Sequence, residues 1–139
     1  MSYSEIGLRL VLAILLGGVI GLERASAQKP AGLRTNILVC MGTTMFILIA
    51  LMAFEEYPQS AVDITRMAAG IITGIGFLGA GTILRTETGV QGLTSAATIW
   101  LVCGIGMAIG LGYYFLAGAG AFLGFVVLRL LPFLEARFK

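Results

Sequence analysis

Residues 67–84 read MAAGIITGIGFLGAGTIL, eighteen positions with no charge and five glycines. A spanning α-helix needs about 20 mostly apolar residues, and about 17 at the least. Bilayer hydrocarbon offers free backbone groups no partner, so such a stretch crosses as a helix although glycine is a poor helix former in water. At about 100° per residue, Gly70, Gly74 and Gly81 fall within about 40° of one another. Gly76 and Gly79 lie roughly opposite, with Ala69 and Ala80. Membrane helices associate through the close backbone approach that small residues permit, so two slim faces predict a helix at the centre of a bundle. A sharper reading is a helix broken near Gly74–Gly81, with freed backbone groups lining an ion or solute site.

Working outward, the same ruler finds Ile6–Leu22 and Leu33–Phe54 before this stretch and Leu93–Gly110 and Tyr113–Leu131 after it. The expected fold class is an all-α membrane protein, a five-transmembrane-helix bundle forming one domain over residues 1–139. Gly110-Leu111-Gly112 must turn tightly between the last two spans, and Pro132 is expected to stop the fifth, since proline cannot continue the backbone ladder. Gly17 and Gly21 share a face of the first helix, and Gly120 and Gly124 repeat that spacing in the fifth. With the glycines of the third span, they read as packing seams. Ala25-Ser26-Ala27 has the look of a signal cleavage site. However, the leader carries only Arg9, offset by Glu5, and Glu23-Arg24 intervenes, so the first span reads as a retained helix.

Composition supports the membrane reading. Hydrophobic residues make up 58% and charged residues 12%, where a soluble domain carries about 25% charged. Disorder is excluded because disordered chains are poor in apolar residues. A net charge of +2, dispersed along the chain, gives no basic stripe for nucleic acid. Cys40 and Cys103 lie in apolar runs and the chain has no histidine, so zinc spacings and His-based triads are absent. Any metal would be a hard, oxygen-liganded ion such as Mg2+, with Asp63 or Glu23 as the candidate ligand. Gly74-Ile-Gly76-Phe-Leu-Gly79 matches the dinucleotide fingerprint in letters only, since it lies inside an apolar span with no acid about 20 residues on.

Five spans put the termini on opposite sides. Arg24, Lys29, Arg34, Arg85, Arg129, Arg137 and Lys139 share one side, against Arg9 and Arg66 on the other. The positive-inside rule then predicts the N-terminus outside and the C-terminus in the cytoplasm. Charges near spans need partners. Glu23, Arg24, Arg34 and Arg85, all at the predicted cytoplasmic boundary, are expected to form one ionic cluster. On the outer side Asp63 and Arg66, three apart, are placed to face each other, and Asp63 suits a helix N-cap. Within the spans the polar positions are Thr35, Asn36 and Thr43 in the second, Thr73 in the third, and Thr94, Ser95 and Thr98 on an arc of about 100° in the fourth. Hydroxyls of this kind often bond their own helix carbonyls.

The motifs occur in a fixed order: Gly17-x-x-x-Gly21-Leu22-Glu23-Arg24, Ala31-Gly32-Leu33-Arg34-Thr35, Asp63-x-x-Arg66-x-Ala68-Ala69, Gly74-Ile-Gly-Phe-Leu-Gly-Ala-Gly81 and Gly92-Leu93-Thr94-Ser95-Ala96-Ala97-Thr98-x-Trp100. In that order they resemble the membrane domain of the MgtC/SapB family of bacterial inner-membrane proteins, over about residues 6–131. The resemblance implies a multi-pass inner-membrane protein tied to Mg2+ homeostasis and to survival in low magnesium or inside host cells. It also implies contacts with other membrane proteins, the membrane sector of the ATP synthase among them. Gly70 stands where relatives often have glutamine, and the chain stops at Lys139, so a short form without the soluble C-terminal domain is expected.

The leading expectation is a non-enzymatic protein acting through intramembrane contacts, with lipid, other membrane proteins and a second copy of itself as partners. No cofactor is called for beyond a possible Mg2+ ion. Ser95 and the two cysteines have no base placed beside them. The alternative is a transporter or channel for Mg2+, another cation or a small solute.

Overall fold

The computed structural model describes residues 1–57, 63–87 and 89–137. Lys139, counted above with the basic side, lies outside the described residues. Five helices follow in order: α1 Tyr3–Ser26, α2 Leu33–Glu56, α3 Ile64–Ala80, α4 Leu93–Gly110 and α5 Tyr114–Arg137. Four of them, α1, α2, α4 and α5, are long and apolar enough to cross a membrane. The 17 residues of α3 span about 26 Å at 1.5 Å per residue, just short of the hydrocarbon core of about 30 Å.

The helices alternate in direction. Arg9, near the start of α1, reaches Gly110 at the end of α4, and the Met1 amino group meets Glu55 at the end of α2. At the opposite end, the start of α4 and the Val127–Pro132 stretch of α5 share a cavity with Arg24 and Lys29. This second end, which gathers the charges after α1, is called the basic end below. Outward-facing side chains such as Phe115, Leu116, Phe122 and Leu123 on α5 are fully suited to lipid.

The helix at the centre is α4, not the third span. It touches all four other helices, whereas α3 packs chiefly on α4 and α2. Ile99, Val102, Cys103, Ile105 and Ile109 of α4 are buried, while Gly79 is the only buried residue of α3. The physical reason lies in how the helices are clothed. A helix that is apolar around its whole circumference belongs inside. On α3, Ile71 and Ile75 turn to the core and Phe77 and Leu78 turn outward.

Glycine positions show which seams are used. A Cβ on Gly17 would lie 2.8 Å from the Cys40 Cβ, and one on Gly21 would lie 2.8 Å from the Leu33 Cα, so both sit where α1 meets α2. The tightest contacts in the second seam, between α2 and α4, are at Gly106, 2.5 Å from the Cys40 carbonyl oxygen, and Gly110, 2.6 Å from the Ile47 Cβ. In α5, a Cβ on Gly124 would press on the tip of Leu101, and one on Gly120 would make an ordinary contact with Ile105. Gly70, Gly74 and Gly76 meet nothing within 4 Å. The slim face of α3 that carries Gly70 and Gly74 is therefore unused inside this chain, while the opposite face is used only where Gly79 rests on Ala96 of α4. The helix is also continuous through Gly74 and Gly79, ending at Ala80 with Gly81 as its cap.

Two boundaries differ from expectation. Pro132 does not stop α5, which runs on to Arg137. Proline removes one ladder bond and crowds the carbonyl four residues back. Leaving the helix there would free every following backbone group beside the exposed apolar Phe133 and Leu134. Leu84, placed above in the third span, instead opens a hairpin of β1 Leu84–Thr86 and β2 Gly89–Gln91, with Arg85 opposite Val90. Gly92 closes it at φ +88°, where a Cβ would strike the Thr82 carbonyl at 1.9 Å.

Gly106→Ala is expected to destabilise the fold by about 1–3 kcal/mol, the usual cost of forced overpacking. Gly76→Ala should stay within about 0.5 kcal/mol of the parent. Thermal unfolding in detergent, followed by circular dichroism, checks the contrast.

Candidate functional site

At the basic end the last turn of α1 turns two charges inward. α1 continues one turn beyond Leu22, so Glu23 and Arg24 are helical, and both side chains are only 4% exposed. The Arg24 Nε donates to the Glu23 carboxylate at 2.5 Å. A buried charge without its partner is strongly destabilising, which accounts for the pairing. The four-residue ionic cluster does not assemble. Arg34, on the outward side of α2, and Arg85, on β1, are exposed, as is Thr35, and no ion pair among the described residues joins either arginine to Glu23 or Arg24.

Arg24 instead lines a cavity of about 870 Å3 shared by the α1–α2 loop, the end of β2, the start of α4 and the end of α5. Ser95 and Thr94 lie in its wall. Ser95 is buried and makes no hydrogen bond among the described residues, whereas Thr98 donates to the Thr94 carbonyl at 2.7 Å. Trp100 faces outward.

At the opposite end Asp63 is the N-cap of α3. Its carboxylate accepts from the Thr65 and Arg66 backbone N–H groups at 2.8 and 3.3 Å and from the Thr65 hydroxyl at 2.6 Å. These bonds, the Thr65 hydroxyl first, hold its acid dissociation below the ordinary carboxylate range. Arg66 and Asp63 form no side-chain ion pair, because the carboxylate is turned back onto the helix start. Both residues stand at the mouth of a groove of about 800 Å3 between α2 and α3, lined farther along by Gly42, Thr43, Gly70 and Gly74.

Neither candidate carboxylate is free for a cation. Glu23 is committed to Arg24 and Asp63 to the α3 cap, at opposite ends of the bundle. Among the described residues no three Cys, Asp or Glu side chains come together. The donors present do not fit a Mg2+ site, which calls for open carboxylates in octahedral geometry.

The polar positions within the spans mostly hold the fold. Thr73 bonds the Ala69 carbonyl on its own helix. Asn36, fully buried, donates to the Ala31 and Gly32 carbonyls at 2.6 and 2.9 Å and so ties down the α1–α2 loop, leaving its own oxygen without a partner. Thr43 is buried against Gly106. Its neighbour Thr44, not singled out from sequence, bonds both the Cys40 carbonyl and, across the seam, the Gly106 carbonyl at 2.9 Å.

Arg9 was also missed. Only 8% exposed, it donates from Nη1 to the Gly110 carbonyl at 2.6 Å, from Nε to the Tyr114 hydroxyl at 3.1 Å and from Nη2 to the Glu5 carboxylate. Its guanidinium also lies 6.0 Å from the Tyr114 ring centre. It thereby caps the carbonyl end of α4, where a cation is favoured. Glu5 four residues earlier, on the same helix face, and the apolar run around Arg9 were the available signals.

Arg9→Ala is expected to cost about 1–3 kcal/mol by leaving the end of α4 without its donor, with partial recovery in Arg9→Lys, as read by thermal unfolding in detergent. Asp63→Ala should speed amide exchange in the first turn of α3, and Asp63→Asn, which also caps, should not. Because the Asp63 dissociation is lowered on folding, its contribution is complete above the ordinary value of 3.8 and is lost as pH falls through the lower folded value. Amide exchange in residues 64–67 over an acid series measures it.

The family model for the MgtC family matches residues 10–137. A protein named "Putative magnesium transporter YhiD" from Escherichia coli (strain K12) is 40% identical over 129 residues, covering 91% of this chain and 60% of that protein. "Protein MgtC" of Salmonella typhimurium (strain 14028s / SGSC 2262) is 48% identical over 107 residues, covering 77% of this chain and 44% of the relative. An uncharacterized protein of Haemophilus influenzae is 40% identical over 132 residues, 91% of this chain and 56% of its own length. The chain thus spans about half to three fifths of the length of the curated relatives it matches. No solved structure matches. This multi-pass bacterial membrane protein, with its apolar helices and its Glu23-Arg24 and Asp63 motifs, belongs to the MgtC family.

Proposed function

We propose that this protein serves magnesium-linked physiology by receiving a transmembrane helix of another membrane protein in the groove between α2 and α3. The observation that carries the reading is the position of α3. It stands at the edge of the bundle with Gly70 and Gly74 bare toward α2, and Gly42 on α2 is equally open. Small residues facing an unfilled cleft are what a second helix needs for close approach in lipid. Asp63 and Arg66 at the mouth offer polar groups to orient the arriving helix. The names of the Escherichia coli and Salmonella relatives and the family assignment support the link to magnesium. The membrane sector of the ATP synthase and a second copy of this chain are the partners to test first.

Gly70→Leu with Gly74→Leu fills the groove and should abolish partner recovery in gentle detergent and growth at low magnesium. Gly76→Leu, on the other side of the helix, should preserve both. The reading fails if the double variant folds and retains both properties. The second reading, transport of Mg2+ or another cation, draws support from the name of the Escherichia coli relative and from the cavity and groove opening at opposite ends of the bundle. Purified protein in liposomes decides it: Mg2+ flux above that of protein-free vesicles would favour transport, and background flux would remove it.

A further inference from the structure

The cavity at the basic end does not share the groove's character and lies apart from it, at the other end of the bundle from Asp63 and Arg66. Its floor is Arg24, 4% exposed, with only Nε engaged, so that neither Nη group donates to a partner among the described residues. Ser95 lines the same space, 2% exposed, its hydroxyl without a hydrogen bond among the described residues. A third set of donors comes from the start of α4. Gly92 is its N-cap and has no side chain to accept from the first N–H groups, which have no partner within the helix. Lys29 stands at the rim. Among the described residues no carboxylate lines the cavity, and Glu23 holds the Arg24 Nε.

We propose that this cavity binds a phosphate group. An uncapped helix start favours an anion through both its N–H groups and its dipole. The fork of a guanidinium matches phosphate oxygens in pairs, and a serine hydroxyl adds a neutral donor. Glu23 balances the charge of Arg24, but Lys29 and the positive end of α4 face the same cavity, where an anion would be favoured. Glu23 is a positioning residue here, because it holds Nε and so turns the remaining edge of the guanidinium to the cavity. The wall from α5, with Leu128 and Leu131, is apolar and lies at the end of the membrane helices. It suits the acyl chains of a phospholipid whose headgroup supplies the phosphate, and free phosphate presents the same chemistry.

The test uses the whole chain in dodecyl maltoside, titrated separately with dihexanoyl phosphatidylglycerol, inorganic phosphate and phosphate-free dihexanoylglycerol, with thermal stability and native mass spectrometry as readouts. Saturable stabilisation by the phospholipid alone establishes a headgroup site, and stabilisation by inorganic phosphate as well establishes a site for free phosphate. Equal effects of the phospholipid and dihexanoylglycerol, with none from inorganic phosphate, would overturn the proposal. Lys29→Gln with Ser95→Ala leaves the Glu23–Arg24 pair intact and should weaken phosphate-dependent binding by about tenfold. Unchanged affinity in that folded variant would also overturn it. Arg24→Lys, which keeps the charge and loses the fork, should weaken binding further.

Discussion

The structure depends on how closely α2 lies against both α1 and α4. In lipid, apolar side chains gain little by leaving their surroundings, so packing must come from backbone proximity and from hydrogen bonds between helices. Gly17 and Gly21 open one side of α2 to α1, and Gly106 and Gly110 open the other side to α4. The Thr44 hydroxyl then reaches across to the Gly106 carbonyl, an exchange that a larger residue at Gly106 would prevent. With α2 fixed on two sides, α4 becomes the axis of the bundle, and α5 and α1 close around it. α3 has no comparable seam and stands apart, resting on α4 near Gly79 and Ala96.

This arrangement explains what was legible in the sequence. The five helices were, because runs of apolar residues report the thickness of a bilayer directly. The place of α3 was not. Glycine spacing reveals which faces of a helix are slim and says nothing of whether a neighbour uses them. Gly70 and Gly74 have the same four-residue spacing as Gly106 and Gly110, yet the first pair faces an open groove and the second a buried seam. The discriminating feature was the uniform apolar clothing of α4, which marks an interior helix. The hairpin between α3 and α4 was hidden because its few residues carry no alternation of apolar and polar positions. It depends on Gly92, whose backbone passes the Thr82 carbonyl at a distance no side chain permits.

The charged positions followed a similar division. That Glu23 and Arg24 needed partners could be read from their place beside an apolar run, and each became the other's partner. That Arg34 and Arg85 would stay outside could not, since boundary position alone does not say which way a helix or a strand turns its side chains. Arg9 was visible as a charge in an apolar segment, but its partners lie about a hundred residues away and no local pattern announces them. In the structure it joins α1 to the α4–α5 turn through Gly110 and Tyr114.

The two ends of α4 are treated differently, and the difference has an electrostatic meaning. Its carbonyl end meets the guanidinium of Arg9, so the negative end of the dipole has a resident cation. Its amide end meets no anion among the described residues. It faces the Ser95 hydroxyl, Lys29 and the free edge of Arg24, each able to donate, around a cap with no side chain. Glu23 neutralises Arg24 from behind but does not line the cavity, so it leaves the first amides of α4 unserved. On the phosphate proposal, the C-terminal end of α4 is completed from within the chain and its N-terminal end by a ligand. A phosphate at that position would accept from Arg24, Ser95 and the helix amides together, joining the ends of α1 and α4 at the basic end much as Arg9 joins α1 to α4 at the other.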